Sequence, residues 1–137
     1  SRFKTNDVTE SEIVMGLQIT DSTPLDVTDG IYFLKIDGDT QPDLIIEKDN
    51  DSSLSVLEMS AMADDTFVTL SFEYDPLDVA TGGAVFRAYQ DNVQVGEITG
   101  TTNAPDDEDL TISFGIQNGE AAAKTLTIDF ILVAVER

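Results

Sequence analysis

The chain has no cysteine, no histidine and no tryptophan. Without the first two it forms no disulfide and lacks thiolate and imidazole zinc ligands, thiolate nucleophiles and imidazole bases. Missing cysteine does not fix the compartment; it only leaves packing or assembly to supply stability outside a cell. Cations are also scarce: 7 Lys and Arg stand against 27 Asp and Glu, for a net charge of −20. Binding to nucleic acid draws on clustered Lys and Arg that displace counterions from phosphate, and here acidic residues surround nearly every basic one. The balance argues against nucleic acid as a partner and equally against an anionic membrane surface. No apolar run approaches the roughly 20 residues that span a bilayer, and no N-terminal stretch has the form of a signal peptide. Only Glu120-Ala-Ala-Ala-Lys124 favours a helix. A segment that short is marginal in water, so it reads as a turn.

What is present points to one all-β domain. The 137 residues are the length of a single domain, and such a chain buries roughly 70% of its unfolded surface. Strand signals recur along the chain with Gly, Asp, Asn and Pro clusters between them. The expected strands are Glu12–Thr20, Gly30–Asp37, Asp43–Lys48, Ser53–Met59, Thr66–Asp75, Ala84–Gln90, Val93–Thr99, Asp109–Gln117 and Lys124–Val135. In Thr66–Asp75, Val68, Leu70, Phe72 and Tyr74 face one way and Thr69, Ser71 and Glu73 the other, as in a sheet with one wet face. Asp91-Asn92 is a two-residue hairpin turn, because both residues tolerate positive φ. Leu110, Ile112, Phe114 and Ile116 are expected inward. In the last strand Leu126, Ile128, Phe130 and Leu132 lie on one side, and Ile131, Val133 and Val135 on the other. A strand with no wet face is a central strand, or one covered by another chain. The whole reads as about ten strands in a two-sheet antiparallel sandwich, since each sheet must bury one face.

Three readings of the acidity stay open: solvated loops that keep a β protein soluble, adaptation to salty water, and binding of divalent cations. Calcium takes hard oxygen ligands. The candidates are Asp37, Asp39 and Asp43, or Asp49, Asn50 and Asp51, or Asp106, Asp107 and Asp109. None has the spacing of an EF-hand loop, and acidic turns, where Asp and Asn cap the backbone, use the same residues. A sugar site needs an exposed aromatic with neighbouring amides and acids. Tyr32, Tyr89 and Gln90 are the candidates, with interface packing or edge burial as the competing role. Phe67, Phe72, Phe114 and Phe130 fall on core registers.

Retaining sandwich glucanases carry Glu-x-Asp-x-x-Glu on one strand, with carboxylates about 5–5.5 Å apart. Asp129 is flanked by Thr127 and Leu132, and Glu47-Lys48-Asp49 begins a set that Ser52 fails to end. Neither is complete, so no catalytic residue is assigned and the chain does not read as an enzyme. Gly96, Gly100 and Gly115 read as bulge or close-packing glycines, and Gly82-Gly83 as a flexible turn. No glycine pair lies between a strand and a helix, so a phosphate loop is not supported.

Phe67-Val-Thr-Leu-Ser-Phe-Glu-Tyr-Asp75, then Ala84-Val-Phe-Arg-Ala-Tyr-Gln-Asp-Asn-Val-Gln-Val-Gly96, then Leu126-Thr-Ile-Asp-Phe-Ile-Leu-Val133 occur in this order. The order resembles the concanavalin A-like, laminin G-like jelly roll, with Asn92 where that family usually has glycine. Five further motifs run along nearly the whole chain. They are Arg2-Phe-Lys-Thr5, Gly16-Leu-Gln-Ile-Thr-Asp21, Thr28-Asp-Gly-Ile-Tyr-Phe33, Asp64-Asp-Thr-Phe-Val-Thr-Leu70 and Ser113-Phe-Gly-Ile-Gln-Asn-Gly-Glu-Ala-Ala-Ala-Lys-Thr-Leu126. This set is similar to that of small proteins encoded by tailed bacteriophages of aquatic bacteria. The resemblance implies a noncatalytic virion protein on the outer capsid surface, decorating the head. Its implied partners are the capsid protein and further copies of itself. It also implies a strand ahead of Arg2-Phe3-Lys4, with Ser1, which is not a methionine, following it.

Contacts are expected from Arg2, Phe3 and Lys4 and from Ile131, Val133 and Val135. The alternatives are a glycan-binding adhesin or tail-associated lectin, and a secreted calcium-stabilised sandwich module. Apart from calcium, no cofactor is expected.

Overall fold

The computed structural model describes residues 1–20, 23–51, 56–80, 82–100, 103–106 and 108–134. The strands are β1 (Arg2–Thr5), β2 (Ser11–Gln18), β3 (Gly30–Lys35), β4 (Asp43–Glu47), β5 (Val56–Glu58), β6 (Val68–Asp78), β7 (Gly83–Gln90), β8 (Val93–Thr99), β9 (Thr111–Asn118) and β10 (Leu126–Phe130). No helix occurs among the described residues. The strands pair antiparallel in two five-stranded sheets, ordered β10-β1-β6-β7-β8 and β5-β4-β3-β2-β9. This is the two-sheet antiparallel sandwich that the alternation implied, with the jelly-roll-like all-β architecture that the resemblance implied.

Turn chemistry sets the registers. Asp91 and Asn92 have φ of 51° and 66° and join β7 to β8 across the pair Gln90↔Val93. Two consecutive left-handed residues match the twist of a hairpin. Asp49 and Asn50, at 53° and 61°, do the same between Lys48 and Asp51. Their chemistry is thus accounted for by backbone conformation. Gly96 serves close packing, since an added Cβ would lie 3.0 Å from Leu57 Cδ1 of the other sheet.

The core between the sheets holds Phe3, Ile13, Met15, Phe33, Leu44 and Leu70. Phe3 is 2% exposed, which corrects its assignment as a contact residue: Arg2 and Lys4 point outward while Phe3, between them, points in. A second apolar cluster lies on the opposite face of the β3 sheet, where Val14, Tyr32 and Ile45 are covered by Leu25 and Val27. Tyr32 is therefore buried, not an exposed sugar platform, and its hydroxyl donates to Glu47. Buried Lys35 donates to the carbonyls of Val8 and Ser11 and fastens the turn between β1 and β2.

The last strand departs from expectation. β10 is an edge strand, paired with β1 alone. Its partners are Phe3↔Ile128 and then Arg2↔Phe130, so Asp129 is an extra residue. One extra residue turns everything after it to the other face. Leu126 and Ile128 pack on the core as expected, and beyond the bulge Ile131 packs there too, while Phe130 is 45% exposed. Ile112, Phe114 and Ile116 face the sandwich interior, opposite Leu17, Met15 and Ile13. However, β9 is the edge of its sheet, and Ile112 and Phe114 remain exposed.

Candidate functional site: an apolar cleft between the sheets

The β1 ladder stops partway along β6. The pairs are Phe3↔Val68 and Arg2↔Thr69. The Ser1 nitrogen then donates to the Leu70 carbonyl at 2.9 Å, and the Leu70 N–H donates to the Ser1 carbonyl at 3.0 Å. Beyond that rung β6 runs on to Asp78 with only β7 beside it. Across the gap, Ile131–Ala134 continue from β10 without a strand partner among the described residues.

Between these two edges opens a cleft of about 920 Å³. Met15, Leu17, Ile31, Phe33 and Ile112 line it from one sheet, and Leu70, Phe72, Tyr74 and Ile131–Ala134 from the other. Its polar lining is Ser1, Ser71 and Glu73. The rings of Phe33 and Phe72 meet across the sandwich at 6.2 Å, and Tyr74 stacks on Phe86 at 4.5 Å. At the mouth Tyr74, Ile112, Leu132 and Val133 are half to three-quarters exposed. These four leave large apolar side chains exposed at the opening.

The expected contact residues divide between this cleft and the outer face of the sheet. Ile131 and Val133 line the cleft; Val135 lies outside the described residues. Arg2 pairs with Asp129 at 2.5 Å and sits 4.3 Å above the Phe67 ring. Lys4 flanks the same ring at 5.5 Å and reaches Asp65 at 3.4 Å. These cations are engaged within the fold.

The sugar candidates are not brought together. Tyr32 is buried on β3, whereas Tyr89 is on β7 in the other sheet and donates to Glu73 at 3.0 Å. Gln90 Oε1 accepts from the Ser60 N–H at 2.9 Å. Nor do the calcium candidates assemble: among the described residues no three acidic side chains converge as a metal site. Asp39 accepts from the N–H groups of Thr40 at 2.6 Å and Gln41 at 3.1 Å, and these bonds, that from Gln41 first, hold its carboxyl below the usual range. Burial pushes the Asp43 carboxyl up, with Glu58 and Asp39 adding repulsion. Asp37 packs against Gly119, and Asp106 pairs with Lys48. Asp109 lies with Asp106 and Glu108 in a shallow open depression, and Asp107 lies outside the described residues.

Gln18 Oε1 and Asn103 Nδ2 are buried without a hydrogen-bond partner among the described residues, whereas two charged groups elsewhere are paired. Burial raises the Glu47 carboxyl, against the opposing bond from Tyr32. Arg87 gathers Asp78, Asp75 and Glu97 on the outer face of its sheet. Sequence reasoning missed the cleft because its lining residues each read as ordinary core positions. Only the sheet order brings these residues from both sheets to one opening. Set beside known proteins, the chain matches no family model, no curated protein and no solved structure.

Proposed function

We propose that this chain is a noncatalytic structural protein of a virion, decorating the outer surface of the capsid head. The observation that carries the reading is the cluster of exposed apolar side chains around the cleft, on a chain whose net charge is −20. Such a chain is soluble through its acidic loops, yet it keeps one region whose apolar groups gain free energy when covered. The order of motifs from Arg2 to Leu126, similar to that of small tailed-phage proteins, supports that setting. Docking would join the apolar region to capsid subunits and leave acidic loops toward solvent, away from packaged DNA.

A carbohydrate-binding adhesin is the second reading. It draws on exposed Tyr74 at the cleft mouth. Copy number separates the two. A decorating protein acts on a repeating lattice, where avidity exceeds single-site affinity by about 10²–10⁴. Quantitative mass spectrometry of purified particles should then find many copies, and assembled heads should bind the protein better than isolated capsid subunits. Scarcity or absence in particles, with tight binding of one glycan on an array, would replace this reading with the adhesin.

A further inference from the structure

We propose that the segment of residues 23–29 is a pH-sensitive strap: it closes over the outer face of the β3 sheet in acid and loosens as the buried carboxyl of Glu47 beneath it ionises. The proposal is independent of the virion reading, because it concerns this outer face and not the cleft.

Three observations carry it. The first is the strap itself. Its last two residues are fastened by hydrogen bonds. The Asn50 N–H donates to the Thr28 carbonyl at 2.9 Å, the Ile19 N–H to the Asp29 carbonyl at 3.1 Å, and the Asp49 N–H to Asp29 Oδ1 at 3.0 Å. Ahead of them Leu25 and Val27 lie on Val14, Tyr32 and Ile45 by apolar contact. A short irregular cover of this kind opens locally at less cost than the ladder beneath it.

The second is what the cover keeps dry. Gln18, Gly30 and Glu47 pair across β2, β3 and β4 in one row, and alternation puts that row on the same face as Val14, Tyr32 and Ile45. A Cβ on Gly30 would lie 3.1 Å from Val27 Cγ1 and from Tyr32 Cδ1. Val27 therefore rests on the middle of the row, with a polar side chain at each end. One is Glu47, 6% exposed, whose carboxyl accepts from the Tyr32 hydroxyl. The other is Gln18, 3% exposed, whose Oε1 has no hydrogen-bond partner among the described residues. Burying such groups short of full hydrogen bonding costs free energy, and water admitted by a lifted strap would solvate both.

The third is charge. Asp26 and Asp29 act on Glu47 from the strap, Asp51 from the turn after β4, and Tyr32 from β3. Lys48, the next residue, pairs with Asp106, while Asp43, earlier on β4, has Glu58 and Asp39 as its charged neighbours. The charges that act on Glu47 are thus carboxylates. Burial first, and then these charges, raise its carboxyl against the bond from Tyr32. With the strap lifted, Glu47 meets water and returns toward the ordinary glutamate value. The closed form then holds a proton over a pH range in which the open form has lost it. Across that range opening gains up to about tenfold per pH unit, and above the closed-form value it levels off.

The test is amide hydrogen exchange on the whole chain from about pH 4 to about pH 7, with rates corrected for the intrinsic effect of pH. Protection of the Ile19 and Asn50 amides should fall by about tenfold or more as pH rises, while amides of the β2–β9 ladder keep theirs. Glu47→Gln retains an acceptor for Tyr32 and removes the titration, so protection at the two amides should no longer change with pH. Asp26→Asn, at an exposed position of the strap, removes one repelling charge and should make the total fall smaller. Protection at Ile19 and Asn50 that is independent of pH in wild type would overturn the proposal. So would the same fall in Glu47→Gln, an undiminished fall in Asp26→Asn, or a fall shared by the whole β2–β9 ladder. Should Glu47→Gln fail to fold, the wild-type profile and Asp26→Asn decide.

Discussion

Replacing Phe3 by alanine separates a core role from a contact role. The side chain is 2% exposed and packs in the cluster with Ile13, Met15, Phe33 and Leu70. Truncating a buried Phe costs about 3–5 kcal/mol, combining lost transfer free energy with the cavity left behind. For a chain of this size each kcal/mol lowers Tm by about 3–5 °C, so Tm should fall by roughly 10–25 °C. Its neighbour is the control. Arg2 makes an ion pair with Asp129 and stacks over Phe67. An exposed pair contributes about 0.2–1 kcal/mol and an exposed cation–π contact about 0.5–1 kcal/mol, so Arg2→Ala should cost clearly less, about 2 kcal/mol at most. Urea denaturation followed by circular dichroism measures both, and a shifted midpoint at constant slope reports stability alone. Phe3→Leu, which keeps much of the volume, should lie between wild type and Phe3→Ala. The reasoning fails if Phe3→Ala costs under about 1 kcal/mol while abolishing association with capsids, because Phe3 would then be a contact after all.

Gly16→Ala should destabilise by about 1–3 kcal/mol in the same assay, because the new Cβ would stand 2.5 Å from the Ile31 carbonyl oxygen and from Tyr32 Cα; an unchanged midpoint would contradict the close packing of β2 on β3. Glu47→Gln tests a pH dependence. Burial raises the folded-state value of Glu47, so the folded protein takes up this proton at a pH where the unfolded chain is still ionised. The resulting stability is complete below the ordinary glutamate value and is lost as pH rises through the folded value. Relative to Glu47→Gln, wild type should gain stability on acidification from neutral pH toward that value, and a pH-independent difference would refute the assignment. Calcium should raise Tm little more than magnesium at equal ionic strength, since Asp39 and Asp49 serve turns and Asp106 an ion pair. A saturable, calcium-selective rise at micromolar ion would establish a site by mass action.

Local rules made much of the fold legible. Val93–Thr99 was readable to the residue, and the Asp91-Asn92 turn followed from the need for two positive φ angles. The alternation of Val68, Leu70, Phe72 and Tyr74 assigned their common face correctly, although burial fades along β6 as the cleft opens. What stayed hidden depends on neighbours distant in sequence. Tyr32 stood as a sugar candidate beside the reading of burial because its cover, Leu25 and Val27, comes from a loop with no strand period. The last strand looked doubly apolar because nothing in Leu126–Val133 announces that Asp129 is a bulge. Most of the expected contact set belonged to the fold's own interior or ion pairs, and the cleft residues were legible only as core.

The most direct test of the central reading is an image of assembled particles with and without this protein. The account predicts added density at regularly repeated positions on the outer head, with the acidic loops toward solvent. Heads unchanged by its removal, or density confined to the tail, would contradict it.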